Sequence, residues 1–287
     1  MAAMANAITG LDHVIVGVND LERARAGWQR LGFTLTPRGR HLGRRSGNYC
    51  IMFADDYVEL LGVVDPSLPE SSTTRFIAEH GEGSMGAAFA TESAEASHAG
   101  FAAAGLAPLD IVDLGRRIEA PGGEAEVRFR LVLLPPERTA AFRLFVCHQL
   151  TPALAHHSSW LGHANGALGL RGLTVAVPRP EALLPVYGPI VGLANTAVTD
   201  EMLTLFAGRH RLLFARPDDL ATLFPETPPP ADAVSPKGVA LSFRVADLER
   251  AADCLDRAGV GFAEPFPGYL HIPPAEANGV IVEFSDA

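Results

Sequence analysis

Glu59 stands in an otherwise apolar stretch, YVELLGV at residues 57–63. If that stretch is a strand, alternation puts Tyr57, Glu59 and Leu61 on one face. A carboxylate on an inward face is costly unless a metal ion or an arginine answers it. His13 stands at the mouth of the first apolar run, residues 14–18. An imidazole and a carboxylate brought together suit a divalent cation of the Fe, Mn, Zn, Co or Ni type, with positions left open for substrate oxygens. Glu59 is therefore the candidate catalytic residue and, with His13, a candidate metal ligand. Asn48 sits near the start of another inward-facing strand, and Tyr57 shares the face of Glu59. Both are candidate substrate contacts. His41 lies in a strongly basic loop, residues 37–45, within an acidic protein. That loop reads either as a solvated hairpin or as a rim that draws in an anionic substrate. His13 alone also reads as a hydrogen-bonded core histidine, and His98, His156 and His157 as surface residues.

Four similar units position these side chains. After the first apolar run, Asn19-Asp20 occupies a helix N-cap position. Leu21, Ala24, Trp28 and Leu31 then recur at helical spacing, and Gly32 ends the helix. Extended chain resumes at Phe33-Thr34-Leu35, and two strands follow at 48–53 and 57–61, making β-α-β-β-β. The twelve-residue interval from Asp20 to Gly32 recurs from Ser93 to Gly105, from Pro180 to Gly192 and from Asp247 to Gly259. The fourth copy repeats DLERA letter for letter, and apolar runs precede each helix at 14–18, 86–90, 173–177 and 239–245. A fixed internal period decides the fold before any single residue does. The expected fold class is α+β, with four βαβββ modules in two pairs related by an approximate two-fold. The first pair spans 8–152 and bears the site. The second, degenerate pair spans 169–286. Residues 66–83 read as a crossing segment, 151–168 as a junction pinned by Trp160, and 224–236 as a Pro-rich connector.

This pattern resembles the vicinal oxygen chelate superfamily, which holds glyoxalase I, extradiol dioxygenases and bleomycin-resistance proteins, and the resemblance implies that the modules form two paired half-open barrels. Leu11-Asp12-His13, Arg40-His41 with Gly47-Asn48, and Tyr57-Val58-Glu59-Leu60-Leu61 look like the opening of the bacterial glyoxalase-like proteins. His163 and Asn165 resemble that group's junction, in a structural role. The resemblance implies a divalent ion held in the barrel, stabilising an enediolate or activating dioxygen in a lyase, isomerase or dioxygenase. His13 and Glu59 would supply two ligands. The third would come from module two, with His148 first choice and His41 second. Cys147 or His148 falls near the counterpart of Glu59. Gly86, at the counterpart of His13, cannot ligate, so a four-ligand glyoxalase I site is not expected. In module three, Leu173 or Gly172 replaces the His and Phe214 the Glu. Module four has Ala240 but keeps Glu283, with His271 one strand earlier.

The 287 residues, 48% of them hydrophobic, provide material for two cores. A net charge of −10 argues against a nucleic-acid surface. No apolar run reaches membrane-span length, and the start MAAMANAITG lacks the basic and apolar regions of a signal peptide. Cys50, Cys147 and Cys254, odd in number and far apart, read as reduced core residues of a cytoplasmic protein. No Gly-rich nucleotide loop or GxSxG elbow is present. Two function classes remain. The first is a metal-dependent enzyme on a small oxygenated substrate, favoured by the His13 and Glu59 pair. The second is a metal-free binding or resistance protein with the same cleft. Four modules in one chain make a monomer feasible and a homodimer an added contact.

Overall fold

A computed structural model describes residues 7–70, 72–120, 122–227 and 236–286. Module one is β1 (Ile8–Gly17), α1 (Leu21–Arg30), β2 (Gly39–His41), β3 (Ser46–Met52) and β4 (Tyr57–Val63). A helix that the sequence reading left out, α2 (Ser72–His80), precedes module two. Module two is β5 (Gly83–Thr91), α3 (Ala94–Ala103), β6 (Val112–Ala120), β7 (Gly123–Leu133) and β8 (Arg143–Gln149). A short α4 (Pro152–Ala155) opens the junction. Module three is β9 (Ala167–Ala176), α5 (Leu184–Val191), β10 (Thr196–Thr199), β11 (Met202–Ala207) and β12 (His210–Ala215). After α6 (Leu220–Leu223), module four adds β13 (Lys237–Val245), α7 (Leu248–Arg257), β14 (Tyr269–Ile272) and β15 (Ile281–Ser285), with its remaining extended piece reduced to a bridge between Ala263 and His271.

The helix signals act as their chemistry requires. Asp20 caps α1 by accepting from the Glu22 and Arg23 amides at 2.9 and 3.0 Å. Asp247 caps α7 by accepting from the Arg250 amide. The four glycines that close the repeated interval all take positive φ, Gly32 at +86° and Gly259 at +64° among them. A side chain is strained in that conformation. At Gly32 a Cβ would also lie 2.6 Å from the Cys254 sulfur of α7. The extended piece at 33–35 does not become a strand; the second strand of module one is β2, four residues further on.

Within each module the first strand runs parallel to the last, β1 with β4 and β5 with β8, and β1 pairs antiparallel with β5. The order β1-β4-β3-β2-β6-β7-β8-β5 returns to β1, so the first pair closes into an eight-stranded barrel. Its seam is the short β2–β6 ladder, Arg40 opposite Arg117 and His41 opposite Arg116. The second pair repeats the arrangement as β14-β15-β13-β9-β12-β11-β10. Among the described residues its ends do not meet, and it stays open. One bridge, Gly238 to Ser84, joins the sheets.

Alternation sorts the side chains. Val14 and Val16 of β1, Val58 and Leu60 of β4, and Leu144 and Val146 of β8 enter a large core shared by both halves. Ile15, Leu61, Phe145 and Cys147 face the barrel lumen. Phe33 anchors the shared core, its ring 5.0 Å from Phe243 and 5.8 Å from Phe284. Asp56 ties the halves by charge. It is fully buried and meets Arg209 at 2.6 Å, His210 at 3.0 Å and the Leu170 amide at 2.9 Å. At the junction His163 accepts from the Thr34 amide and donates to the Met52 carbonyl, both at 3.0 Å. Asn165 donates to the Leu31 carbonyl. Trp160 packs with Cys50 and Tyr57 of the first barrel. A core shared this way predicts one cooperative urea transition for both halves. Phe243→Ala should lower the unfolding free energy by about 3–5 kcal/mol without splitting the transition into two.

Candidate metal and substrate site in the first barrel

Lumen-facing residues of β1, β2, β3 and β4 converge on Glu59, which is 6% exposed. His13 Nε2 lies 3.9 Å from Glu59 Oε2, and His41 Nε2 lies 3.6 Å from Glu59 Oε1. The Asn48 amide donates to Oε1. Ligands bound at about 2.0–2.2 Å to one ion lie at most about 4.4 Å apart. Each imidazole–carboxylate pair falls within that span.

The far sides of the rings are held. His13 Nδ1 meets Asp12 Oδ1 at 2.5 Å, and the Gln149 amide donates to both oxygens of Asp12 at 3.1 Å. Tyr57 stacks on the His13 ring at 4.6 Å. A carboxylate on one ring nitrogen fixes the tautomer and leaves the other nitrogen's lone pair free, the usual support of a metal-bound histidine. His41 Nδ1 is within 3.1 Å of Ser46 Oγ.

Protonation follows from burial. Desolvation lowers the His41 pKa below its ordinary 6.5, although Glu59 works to raise it. Desolvation works to raise the Glu59 pKa, but His41, His13, Arg116 and the Asn48 bond outweigh it and hold the carboxyl below 4.5. Neutral imidazole and charged carboxylate are the ligating forms. The Tyr57 phenol is pushed well up by burial and stays neutral. Donor types and protonation suit a divalent ion, and Glu59 lies within reach of either imidazole through a different oxygen, but among the described residues only Asp12, His13 and Cys147 bring one ligand atom each within 4.8 Å of one another.

Two expectations change. His148 is not in the lumen. Arg143, Phe145 and Cys147 take the lumen face of β8, so His148 points the other way, opposite Arg130 in the ladder. Nor is Cys147 or His148 the counterpart of Glu59. Ile15 pairs with Glu59, its counterpart Ala88 pairs with Phe145, and Gly86 indeed stands for His13. In module three the same register gives Gly172 and Leu213, not Phe214, while module four keeps Glu283 opposite Ser242. Glu283 meets His271 of the adjacent strand at 3.0 Å.

Asp12, Cys147, Gln149, Arg116 and Arg143 were missed as site residues. Asp12, His13 and Cys147 have ligand atoms within 4.8 Å of one another. That trio suits an ion less well. Its carboxylate already serves His13 and Gln149, and burial pushes the Cys147 thiol well up, toward its neutral form. Arg116 is 5% exposed and donates to the Cys50 sulfur at 2.8 Å, and Cys50 is itself a thiol raised to about 11 by burial. Its cue was an arginine in the inward register of an alternating strand, Val112, Leu114, Arg116, Ile118. Gly39 makes room for it: a Cβ there would lie 2.9 Å from Arg116 Cδ and 2.3 Å from Asn48 Oδ1.

The cavity holding His13, His41 and Glu59 measures about 140 Å³. It adjoins an outer groove of about 790 Å³ beneath α2.

The model of the glyoxalase-like domain family matches residues 11–190. No curated protein matches the chain. Among solved structures, a hypothetical protein from Staphylococcus aureus has a TM-score of 0.68 at 12% identity, covering 96% of this chain and 98% of that one. A xylose isomerase-like TIM barrel/4-hydroxyphenylpyruvate dioxygenase fusion protein has a TM-score of 0.62 at 16% identity, covering 99% of this chain and 49% of its own. A mutant of 4-hydroxymandelate synthase from Streptomyces coelicolor has a TM-score of 0.58 at 14% identity, covering 97% and 92%. These similarities establish the fold. No described helix is long and apolar enough to cross a membrane.

The His41 shift carries a sign. The folded pKa lies below the unfolded value of 6.5, so the unfolded chain takes up protons first as the pH falls. The resulting stability is present above pH 6.5 and lost as the pH falls through the folded pKa. His163, also lowered by burial, adds to the slope. Urea midpoints should therefore fall as the pH drops below 6.5, and His41→Gln should flatten that fall. An unchanged slope would contradict the placement of His41.

Proposed function

This chain belongs to the glyoxalase-like domain family, and from that premise we propose that its first barrel is a metal-dependent active site for a small oxygenated substrate. The reaction class is that of a lyase, isomerase or dioxygenase. One observation carries the reading. His13, fixed from behind by Asp12, presents Nε2 to Glu59 at 3.9 Å inside a closed barrel. His41, 3.6 Å from the other oxygen of Glu59, is the candidate third ligand in place of His148. When bound, a divalent ion would polarise two neighbouring oxygens of the substrate.

The chain's own residues set the conditions for that chemistry. Asp12 keeps a proton on His13 Nδ1 and so keeps Nε2 available. Gln149 holds Asp12 in turn. Asn48 fixes one oxygen of Glu59, leaving the other toward His13. Tyr57 fixes the plane of the His13 ring and shields its flank from water. The barrel wall excludes bulk solvent, which strengthens every charge interaction in the lumen. All the strands of this barrel come from one chain, so the site needs no second subunit.

A metal-free binding or resistance protein is the second reading. The Asn48 bond and the nearby Arg116 favour it, because they partly answer the Glu59 charge without an ion.

Elemental analysis of protein purified without chelator separates the two. The metal reading expects near-stoichiometric divalent ion. His13→Ala and Glu59→Gln should each lose it with circular dichroism unchanged. Asp12→Asn should weaken binding about 10–100-fold, the usual effect of losing such a support. Metal-free wild-type protein that takes up no added Fe, Mn, Zn, Co or Ni would leave the binding-protein reading standing.

A further inference from the structure

Arg116 and Arg143 both line the cavity that contains His13 and Glu59. Among the described residues, no carboxylate oxygen lies within 4.0 Å of either guanidinium. Three other arginines are matched by carboxylates: Arg209 meets Asp55 and Asp56, Arg216 meets Asp219 and Glu201, and Arg130 meets Glu95 and Asp113. Buried Arg116 finds only a thiol as partner, and its Nε has no acceptor. Half-buried Arg143 reaches only the Ser72 hydroxyl, at 3.4 Å, and lies 4.9 Å over the Phe145 ring. A cation withdrawn from water without a counter-charge is costly, and two of them facing one cavity call for an anion.

The place of the anion is defined. Arg44 also lines the cavity but is exposed, so water answers it. That leaves two withdrawn guanidiniums on the module-two side of the lumen, whereas the buried carboxylates, Glu59 and Asp12, lie on the His13 side, Asp12 being held by His13 and Gln149. A single carboxylate group fits on the guanidinium side, whereas a dianion would crowd Glu59. The size is bounded as well. About 140 Å³ compares with the roughly 150 Å³ cavity that holds benzene. Arg143 stands in the wall shared with the outer groove, so an anionic group there leaves the inner cavity for the remainder of the molecule. Planar guanidinium matches planar carboxylate two-pronged.

We propose that the ligand of the first barrel is a small organic carboxylate, its carboxylate seated on Arg143 and its body in the inner cavity against Phe145 and Leu131. This names a substrate class for the site read above and rests on that reading for its place in a reaction, but the charge argument does not require a metal.

The test uses the full chain treated with chelator, so a failed metal assignment cannot mask the result. Benzoate, benzamide and phenyl phosphate are titrated by calorimetry and by protein NMR. Benzoate should bind, with benzamide at least about tenfold weaker. Arg143→Met should bring benzoate down to the benzamide level, while Arg117→Met, an exposed neighbour on the opposite face of β6, should leave it unchanged. Arg143→Lys should recover part of the loss. Overturning results are benzamide equal to benzoate in the wild type, no benzoate binding at about 10 mM, or Arg143→Met without effect. Phenyl phosphate binding more tightly than benzoate would replace the carboxylate with a phosphate. The wild-type comparison decides the matter even if Arg143→Met does not fold. Metal found in the protein together with no preference for carboxylate would sink this inference alone.

Discussion

A carboxylate withdrawn into a β-barrel sets the terms for everything around it. Glu59 occupies a strand whose neighbours on both sides are apolar, and it is nearly excluded from water. Its charge survives because polar groups face it from four places: Asn48 across the β3–β4 ladder, His13 from β1, His41 from β2 and Arg116 from β6. A hydrogen bond to a charged group contributes about 1.5–3 kcal/mol, so one donor does not offset the desolvation. The site is therefore a collective property of the barrel. Weakening one wall alters the protonation of the rest.

Those supporting groups show how far the four modules have diverged while keeping one ladder. The register that pairs Ile15 with Glu59 also pairs Ala88 with Phe145, Thr174 with Leu213 and Ser242 with Glu283. Backbone pairing is common to all four, whereas the side chains that could bind an ion are not. In module two, Gly86 and Phe145 stand where module one has His13 and Glu59, and Arg143 stands where it has Tyr57. Module two contributes cations and apolar walls, and module one contributes the donors. The asymmetry gives the lumen a ligating side and a guanidinium side.

The repeated module was readable because its signals are local. A capping Asp or Ser, a helix of fixed length and a closing glycine act within about a dozen residues, and each kept its role in three dimensions. His13 and Glu59 were readable for the same reason, since both sit at defined places in one module. His148 was misplaced because its face depends on where β8 begins after the irregular residues 134–142, and a one-residue slip inverts every side chain. Arg116 was overlooked because a cation in an edge hairpin reads as solvated until the hairpin is known to close a barrel. Helix α2 was overlooked because Ser, Thr and Glu dominate it, and only Thr73 among its side chains is fully buried. Its value lies in covering the lumen, a tertiary fact without a local signature.

Closure separates the two halves in the surroundings of their carboxylates as well as in shape. The β2–β6 seam sets His41 opposite Arg116 and Arg40 opposite Arg117, and the opposed Arg40 and Arg117 are unfavourable as like charges. Glu59 compensates from inside, drawing His41 and Arg116 toward a common centre. The second imidazole is thus a product of the seam and not of the repeated module. In the second half β10 and β14 are four residues each and do not meet. Its carboxylate, Glu283, has no imidazole facing it from across a lumen and is answered by His271 in the neighbouring strand and by Ser242. An adjacent-strand partner neutralises the carboxylate, whereas partners across a closed lumen leave a space between them. That space is what a substrate site requires, and in this chain closure of the first pair creates it.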